Sequence, residues 1–274
     1  MYSVEKFILE DKVMKKFISL LLVLALSVFV FAACSNKTET KTEGNDEPTE
    51  TKLEKITVAT NAEFPPFEYL EGEEMVGADI DMAKAIAEYL GCEVEITNID
   101  FDAALTGAAT GKYDLAIAGI TATDERKQNM SFSDNYYKAS QAIIVNDGSE
   151  IKGSADLEGK TIACQEGTTG EQFLLDGGYS IQSFKTGSEA ITALTTGKVD
   201  AVVIDNAVAN ALSAEQGGKT VVLEEALTEE AYAIATKLGN DSLLAKVNEA
   251  IKELKANGKL AEIFASYDLV VDAE

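Results

Sequence analysis

Residues 104–118 read ALTGAATGKYDLAIA, and residues 193–204 read ALTTGKVDAVVI. Both stretches begin with Ala-Leu, reach a Gly-Lys pair and pass through Asp into an apolar run. A helix that ends at Gly and leads into a short strand explains each stretch, because Gly readily adopts the left-handed conformation that follows many helices. The repetition indicates a duplicated α/β unit and not a short solenoid repeat.

The sequence around these stretches alternates between strand and helix patterns. The first unit contains these predicted elements: strand Ile56–Thr60, loop Asn61–Tyr69, helix Asp79–Leu90 ending at Gly91, strand Val94–Ile96, helix Phe101–Thr110 and strand Leu115–Ala118. The second contains strand Thr161–Cys164, loop Glu166–Gly170, a helix from about Glu171, helix Ser188–Thr196 and strand Ala201–Ile204. Such alternation is typical of parallel α/β architecture, and two similar lobes side by side create a cleft that favours ligand binding.

Composition excludes several functional classes. The 274 residues carry 23 basic and 47 acidic side chains, a formal net charge of −24, which disfavours a nucleic-acid binder because phosphate contacts need positive charge. Histidine is absent, so no Ser-His, Cys-His or His-metal arrangement exists. The three cysteines have no CxxC spacing. We therefore expect neither a metal site nor a cofactor.

The N-terminal sequence has the parts of a secretory signal. Met14–Cys34 starts with two lysines, continues through a mostly apolar run and ends in small residues before Cys34. The alternative to a cleaved signal peptide is a signal-anchor helix that stays in the membrane. We expect translation to start at Met14. Residues 35–52 contain no aliphatic or aromatic side chain, which is typical of a flexible tether. The predicted segments are thus 1–33 for the signal peptide and 34–53 for Cys34 and the tether.

Two resemblances sharpen this outline. FAACS at 31–35 resembles a bacterial lipobox, which implies lipidation of Cys34. The remaining chain, about residues 54–270, resembles the polar amino-acid solute-binding proteins of ABC importers. The segments that carry this resemblance are TNAEFPPFE (60–68), GADID (77–81), LAIAGITATDER (115–126), FSDNYY (132–137), GKTIA (159–163) with GTT (167–169), and VDA (199–201) through Asp205.

The resemblance implies an α/β, two-lobed type II periplasmic-binding fold, in which each lobe has a central sheet flanked by helices. Residues 54–138 plus 235–274 would form lobe 1, and residues 139–234 would form lobe 2. Tyr137–Val145 and Ala231–Thr236 would be the two hinge strands, which would allow closure around a ligand. Cys92 and Cys164 would then lie in different lobes, so we expect free thiols.

The same resemblance implies a binding protein without enzymatic activity. It would be a monomer that captures a free amino acid and delivers it to an ABC permease. Its lipid anchor would hold it on the outer face of the cell membrane, or in the periplasm of an organism with an outer membrane. The alternatives are a ligand sensor for a receptor and an enzyme on the same fold that resembles cyclohexadienyl dehydratases.

A free amino acid is a zwitterion, so its site needs a receptor for each charge. Arg126 is the predicted carboxylate clamp, because a guanidinium forms two parallel bonds to a carboxylate; the alternative is a surface ion pair with Asp124 or Glu125. By resemblance, Asp205 would bind the α-ammonium group, and its alternative role is the N-cap of a helix from Asn206.

The other predicted contacts surround these two charges. Thr121 would donate its hydroxyl, and Gly119, next to Ala118, would let the ligand approach the backbone closely. Gly167, Thr168 and Thr169 precede a helix, whose free N–H groups favour a carboxylate; an ordinary threonine N-cap is compatible with that role.

Side-chain specificity depends on three further residues. Phe64 and Phe101 align with aromatic ligand walls in the family, and core packing is their alternative role. Many family members have Asp where this chain has Asn61. The neutral Asn61 favours a polar or neutral amino acid, glutamine-like or cystine-like, over arginine, unless Glu63 or another carboxylate supplies the charge.

Overall fold

The structure is a computed structural model that describes residues 53–271. The predictions for the signal, Cys34 and the tether lie outside the described residues. Residues 53–271 contain two five-stranded sheets, each flanked by helices, as expected for the α/β two-lobed class. No helix within this described part is long and apolar enough to cross a membrane.

The first lobe begins with eight strands and two helices. They are β1 (Lys55–Thr60), β2 (Glu63–Phe64), β3 (Glu68–Glu71), β4 (Glu74–Val76), α1 (Ala78–Leu90), β5 (Glu93–Asn98), α2 (Phe101–Thr110), β6 (Leu115–Ala116), β7 (Met130–Phe132) and β8 (Tyr137–Ala139).

The chain then builds the second lobe and returns. The second lobe contains β9 (Gln141–Asn146), β10 (Thr161–Gln165), α3 (Thr169–Asp176), β11 (Ser180–Phe184), α4 (Gly187–Thr195), β12 (Ala201–Asp205), α5 (Asn206–Ala214) and β13 (Thr220–Val222). The return consists of β14 (Glu230–Tyr232), β15 (Ala235–Lys237), α6 (Asp241–Ala256) and α7 (Lys259–Ala265).

The two sheets repeat one topology. Their strand orders are β5-β1-β6-β15-β7 and β11-β10-β12-β9-β13. The first three strands of each sheet run parallel, whereas the last two are antiparallel to the neighbours they pair with across the sheet. The predicted parallel architecture therefore holds for the duplicated half of each sheet only. The antiparallel half consists of the strands that lie next to the crossings between the lobes.

The hinge is a short antiparallel pair of strands. β8 pairs with β14, with Tyr137 opposite Tyr232 and Ala139 opposite Glu230. Each predicted hinge strand is divided in two, because β8 ends before β9 begins in the second sheet, and β14 ends before β15 joins the first. Only a few residues at each division lie between the two sheets, which is the arrangement that lets two lobes rotate as units.

The predicted loop Asn61–Tyr69 contains β2 and the start of β3, which form a small antiparallel sheet with β4. Phe67 is fully buried in this region, and its ring lies 4.9 Å from that of Tyr137 and 5.1 Å from that of Tyr232. Because these two tyrosines belong to the hinge strands, aromatic packing fixes the loop against the hinge. The following residue, Glu68, is consequently held inside the protein.

Candidate ligand-binding cleft

A small cavity of about 10 Å³ lies between the two sheets. β1, β6, β10 and β12 all direct their carboxyl ends toward it, which is where open α/β sheets place their ligands. Its lining residues are Asn61, Phe64, Glu68, Phe101, Ala118, Gly119, Arg126, Gln165, Thr168, Thr169 and Asp205.

Most of the predicted site residues are therefore brought together. Thr121 and Gly167 are the two that do not line the cavity. The Thr121 hydroxyl donates to Glu230 Oε2 at 2.6 Å, and the Gly167 carbonyl accepts from Arg126. Glu68 and Gln165 also line the cavity and are not among the residues predicted from the sequence. Gln165 ends β10 as Asp205 ends β12, so the same position at the end of a strand would have identified it.

The Arg126 guanidinium lies at the cavity wall and bonds to both lobes. Its Nη1 donates to the Thr121 carbonyl at 2.9 Å, and its Nη2 donates to the Gly167 carbonyl at 3.0 Å. The guanidinium carbon lies 5.4 Å from the centroid of the Phe101 ring, within cation–π range. Burial lowers the pKa of Arg126, although Asp205 and Glu230 oppose the shift, and a guanidinium stays charged under ordinary conditions.

A surface ion pair does not account for Arg126. Within residues 53–271 it has no carboxylate partner within 4.0 Å, and Asp124 pairs with Lys127 at 3.5 Å instead. A guanidinium has five N–H donors, and the two carbonyls occupy two of them. The remaining donors are available to a carboxylate that enters the cavity.

Asp205 supplies a buried carboxyl from the second lobe. Its Oδ1 accepts a hydrogen bond from the Tyr232 hydroxyl at 2.7 Å. Burial, followed by the nearby charge of Glu230, raises the pKa of Asp205 to about 6. Asp205 occupies the N-cap position of α5, but its side chain makes no capping hydrogen bond. The carboxyl is thus directed to the cavity and the hinge rather than to its own helix.

Glu68 and Asp79 form a second, more deeply buried acidic group. Asp79 Oδ2 accepts from the Gly119 N–H at 2.9 Å and from the Tyr136 hydroxyl at 2.8 Å. Asp79 Oδ1 and both Glu68 oxygens are buried and accept no hydrogen bond from another described group, but the two carboxyls share a side-chain hydrogen bond with each other. Burial and the charge of Asp79 raise the pKa of Glu68 well above its usual range, and burial raises the pKa of Asp79 to about 6. Two adjacent buried carboxylates are costly, so the pair shares a proton unless a cation lies beside it.

The two lobes are joined by a hydrogen bond and lie in close contact around the cavity. Gln165 Nε2 donates to Asn61 Oδ1 across the cleft at 3.1 Å. Gly167 has a φ of 77°, and a Cβ there would lie 2.0 Å from Asp102 Oδ1 of α2. The two lobes therefore approach each other too closely at this point for a side chain. The structure therefore shows the two lobes closed on each other.

The remaining predicted residues stabilise the fold as well as line the cavity. The Thr168 hydroxyl accepts from the Glu171 N–H at 3.3 Å, so the predicted N-cap is present. The rings of Phe64 and Phe101 are buried in the core and also line the cavity. Gly119 has a φ of 55°, and a Cβ there would lie 2.7 Å from the Phe64 ring, which explains why this strand end needs glycine.

Groups of three or more His, Cys, Asp or Glu side chains that could hold a metal ion do not occur in residues 53–271. Cys92 and Cys164 are free thiols. Burial raises the pKa of Cys164 to about 11, so this thiol is protonated and unreactive near neutral pH.

Comparison with known proteins gives a consistent result. The family model of the bacterial extracellular solute-binding proteins, family 3, matches residues 56–269. The arginine-binding extracellular protein ArtP of Bacillus subtilis is 31% identical over 255 residues, which is 91% of this chain and 96% of that protein.

Two solved structures are similar over most of their length. An ancestral arginine-binding protein bound to glutamine is 41% identical with a TM-score of 0.74, covering 78% of this chain and 97% of that one. The arginine-, lysine-, histidine-binding protein ArtJ of Geobacillus stearothermophilus is 38% identical with a TM-score of 0.74, covering 78% of this chain and 95% of that one.

Proposed function

Because this chain belongs to the bacterial extracellular solute-binding proteins of family 3, we propose that it captures a free amino acid with a cationic side chain for an ABC importer. The relatives are amino-acid-binding proteins of ABC transporters and not enzymes. The observation that carries the choice of a cation is Glu68, a fully buried carboxyl that lines the cavity and faces a second buried carboxyl, Asp79, with which it shares a hydrogen bond.

Two side chains at the cavity suit the two charged groups that every free amino acid carries. The unused N–H groups of Arg126 would bind the α-carboxylate in two parallel charge-assisted bonds. Asp205 would accept from the α-ammonium group, since only one of its oxygens is used by Tyr232. The two side chains come from different lobes, so a zwitterion would connect them and favour closure.

The part of the cavity around Glu68 suits a positively charged side chain of the ligand. Glu68 and Asp205 line the cavity together with one guanidinium, and Asp79 lies directly behind Glu68. A zwitterion adds no net charge to this group, whereas arginine or lysine adds one positive charge. A cation beside Glu68 would take the place of the proton that Glu68 and Asp79 share. The arginine-binding relatives ArtP and ArtJ support the same class of ligand.

A neutral ligand is the second candidate. Asn61 is uncharged, and its Oδ1 is occupied by Gln165. A proton on Glu68 would leave the cavity suitable for a glutamine-like or cystine-like side chain, and one related structure contains glutamine. Asn61 favours a neutral side chain of the ligand, whereas Glu68 favours a cationic one.

Thermal-shift measurements on the mature chain test the proposal, because a ligand at 100 times its Kd stabilises the folded state by about 2.7 kcal/mol. The panel contains arginine, lysine, histidine, glutamine and cystine, with agmatine as the control that lacks the α-carboxylate. We expect arginine or lysine to give the largest shift and agmatine to give none. The largest shift from glutamine or cystine would favour the second candidate, and no shift from any amino acid would contradict the function.

Affinity should depend on pH through Asp205. Its carboxyl has a pKa of about 6 without ligand, and a bound ammonium group stabilises the ionised form. Affinity for a neutral amino acid should therefore be constant above pH 7 and fall by about tenfold per pH unit below pH 6, whereas affinity for arginine, which also displaces the proton on Glu68, should fall more steeply. Calorimetry between pH 5 and 8 measures this slope. An affinity that stays level or rises toward pH 5 would contradict the role of Asp205.

The remaining proposals concern location and lobe boundaries. We infer that Cys34 is lipidated, that residues 34–53 form the tether, and that lobe 1 comprises 54–138 plus 235–274 around lobe 2 at 139–234. Radiolabelled palmitate should label the parent chain and leave Cys34→Ser unlabelled, because the Cys34 thiol would be the lipidation site; immunoprecipitation with autoradiography measures this. A parent chain that takes up no palmitate yet stays in the membrane would instead indicate a signal-anchor helix. Delivery to a permease or to a receptor begins with the same capture step.

A further inference from the structure

Glu230 connects the two lobes at a point outside the cavity. It is the first residue of β14, where the chain leaves the second lobe. Its Oε2 accepts from the Thr121 hydroxyl at 2.6 Å and from the Thr169 hydroxyl at 2.7 Å, and its Oε1 accepts from the Thr228 hydroxyl at 2.7 Å. Thr121 follows β6 in the first lobe, and Thr169 begins α3 in the second. One carboxylate oxygen thus joins a hydroxyl from each lobe.

Both threonines are held in place by other contacts. Thr121 forms a backbone bridge with Tyr232, and its carbonyl accepts from Arg126. The Thr169 hydroxyl also accepts from Gln141 Nε2 at 3.1 Å. A hydroxyl has a single proton to donate, so both threonines have committed theirs to Glu230. Thr121 consequently cannot donate to a ligand in this arrangement, which differs from the role expected from its sequence position.

Glu230 and Thr121 do not line the ligand cavity; both line an open groove on the hinge side. We propose that Glu230 is a positioning residue that acts as a closure latch. It holds Thr121 and Thr169 together when the lobes close and must release at least one of them when the lobes open. Because the latch forms after the lobes meet, it slows ligand release and leaves ligand entry nearly unchanged.

The latch predicts a specific kinetic signature. Glu230→Ala should raise the dissociation rate constant by about tenfold, equivalent to about 1.4 kcal/mol, and change the association rate constant by less than about twofold. Glu230→Gln keeps an acceptor oxygen and loses the charge, so its dissociation rate should lie between those of the parent and Glu230→Ala. The matched control is Glu229→Ala, which removes the same charge from an exposed neighbouring position.

The measurement follows the chase of radiolabelled arginine from the full mature chain, with radiolabelled glutamine as a second probe. Thr121→Val provides an independent variant, and Glu230→Ala combined with Thr121→Val should release ligand no faster than Glu230→Ala alone. Equal dissociation rates for Glu230→Ala and Glu229→Ala would overturn the latch, as would fully additive effects in the double variant.

Because these probes rest on the proposed function, a second readout does not use a ligand. Without ligand, hydrogen–deuterium exchange over residues 118–123 and 166–171 should be faster in Glu230→Ala than in Glu229→Ala, since closed encounters would be shorter. Parent protein that binds neither probe contradicts the proposed function. Identical exchange in the two variants contradicts the latch.

Discussion

Arg126→Ala is expected to weaken amino-acid binding by about 150- to 5,000-fold, because removing one partner of a buried charge pair costs about 3–5 kcal/mol. The guanidinium faces the cavity and its remaining N–H donors have no partner among the described residues. Arg126→Lys should recover only part of the affinity, since an ammonium group does not form two parallel bonds to a carboxylate. Titration calorimetry with arginine measures both losses.

Lys127→Ala is the matched control for Arg126. Lys127 is the next basic residue in the chain, and its side chain is exposed and paired with Asp124 on the surface. Its removal should change affinity by less than about twofold, as expected for an exposed ion pair. Arg126→Ala that retains affinity within tenfold of the parent while remaining folded would exclude the carboxylate clamp.

Glu68→Gln should reduce arginine affinity by about 10- to 150-fold and leave citrulline affinity nearly unchanged, because a hydrogen bond to a charged group contributes about 1.5–3 kcal/mol. Glutamine has nearly the shape of a protonated glutamic acid. The variant should therefore fold and keep or raise its melting temperature, since it carries no ionisable group in a fully buried position. Parallel calorimetric titrations with arginine and citrulline measure the change in preference.

Glu71→Gln controls for the loss of one negative charge from the same small sheet. Glu71 lies three residues away in β3, is exposed and does not line the cavity. Its replacement should leave both affinities within about twofold of the parent values, as is usual for an exposed charge. Equal loss of arginine and citrulline affinity in Glu68→Gln would indicate a structural role for Glu68 and contradict a cation subsite.

Local sequence patterns predicted much of the fold because they depend on near neighbours. The helix expected over Asp79–Leu90 spans Ala78–Leu90 and ends at Gly91, which has a φ of 65°. Phe101–Thr110 was predicted with its observed bounds and likewise ends at a glycine. These elements require only helical periodicity and a residue that accepts the left-handed conformation.

Site residues were predictable where they end a strand or belong to a family motif. They were less predictable where contacts between residues distant in the sequence determine the position of the side chain. Glu68 is one of 47 acidic residues, and its burial depends on Phe67 packing against the hinge tyrosines. The Thr121 hydroxyl is directed by Glu230, which lies 109 residues further along the chain. Neither of these long-range contacts leaves a pattern in the local sequence. The sequence therefore predicted Arg126 and Asp205, but neither the buried carboxyls Glu68 and Asp79 nor the role of Glu230.

Calorimetric titration of the unmodified mature chain with arginine and with citrulline addresses the proposed cation trap most directly, because the two ligands have nearly the same shape and differ in the charge of the side chain. We predict a Kd for arginine that is about 10- to 150-fold lower than that for citrulline at pH 7.5, from the contribution of a charged hydrogen bond to Glu68. Citrulline binding as tightly as arginine, or more tightly, would contradict a cationic ligand and favour the neutral one.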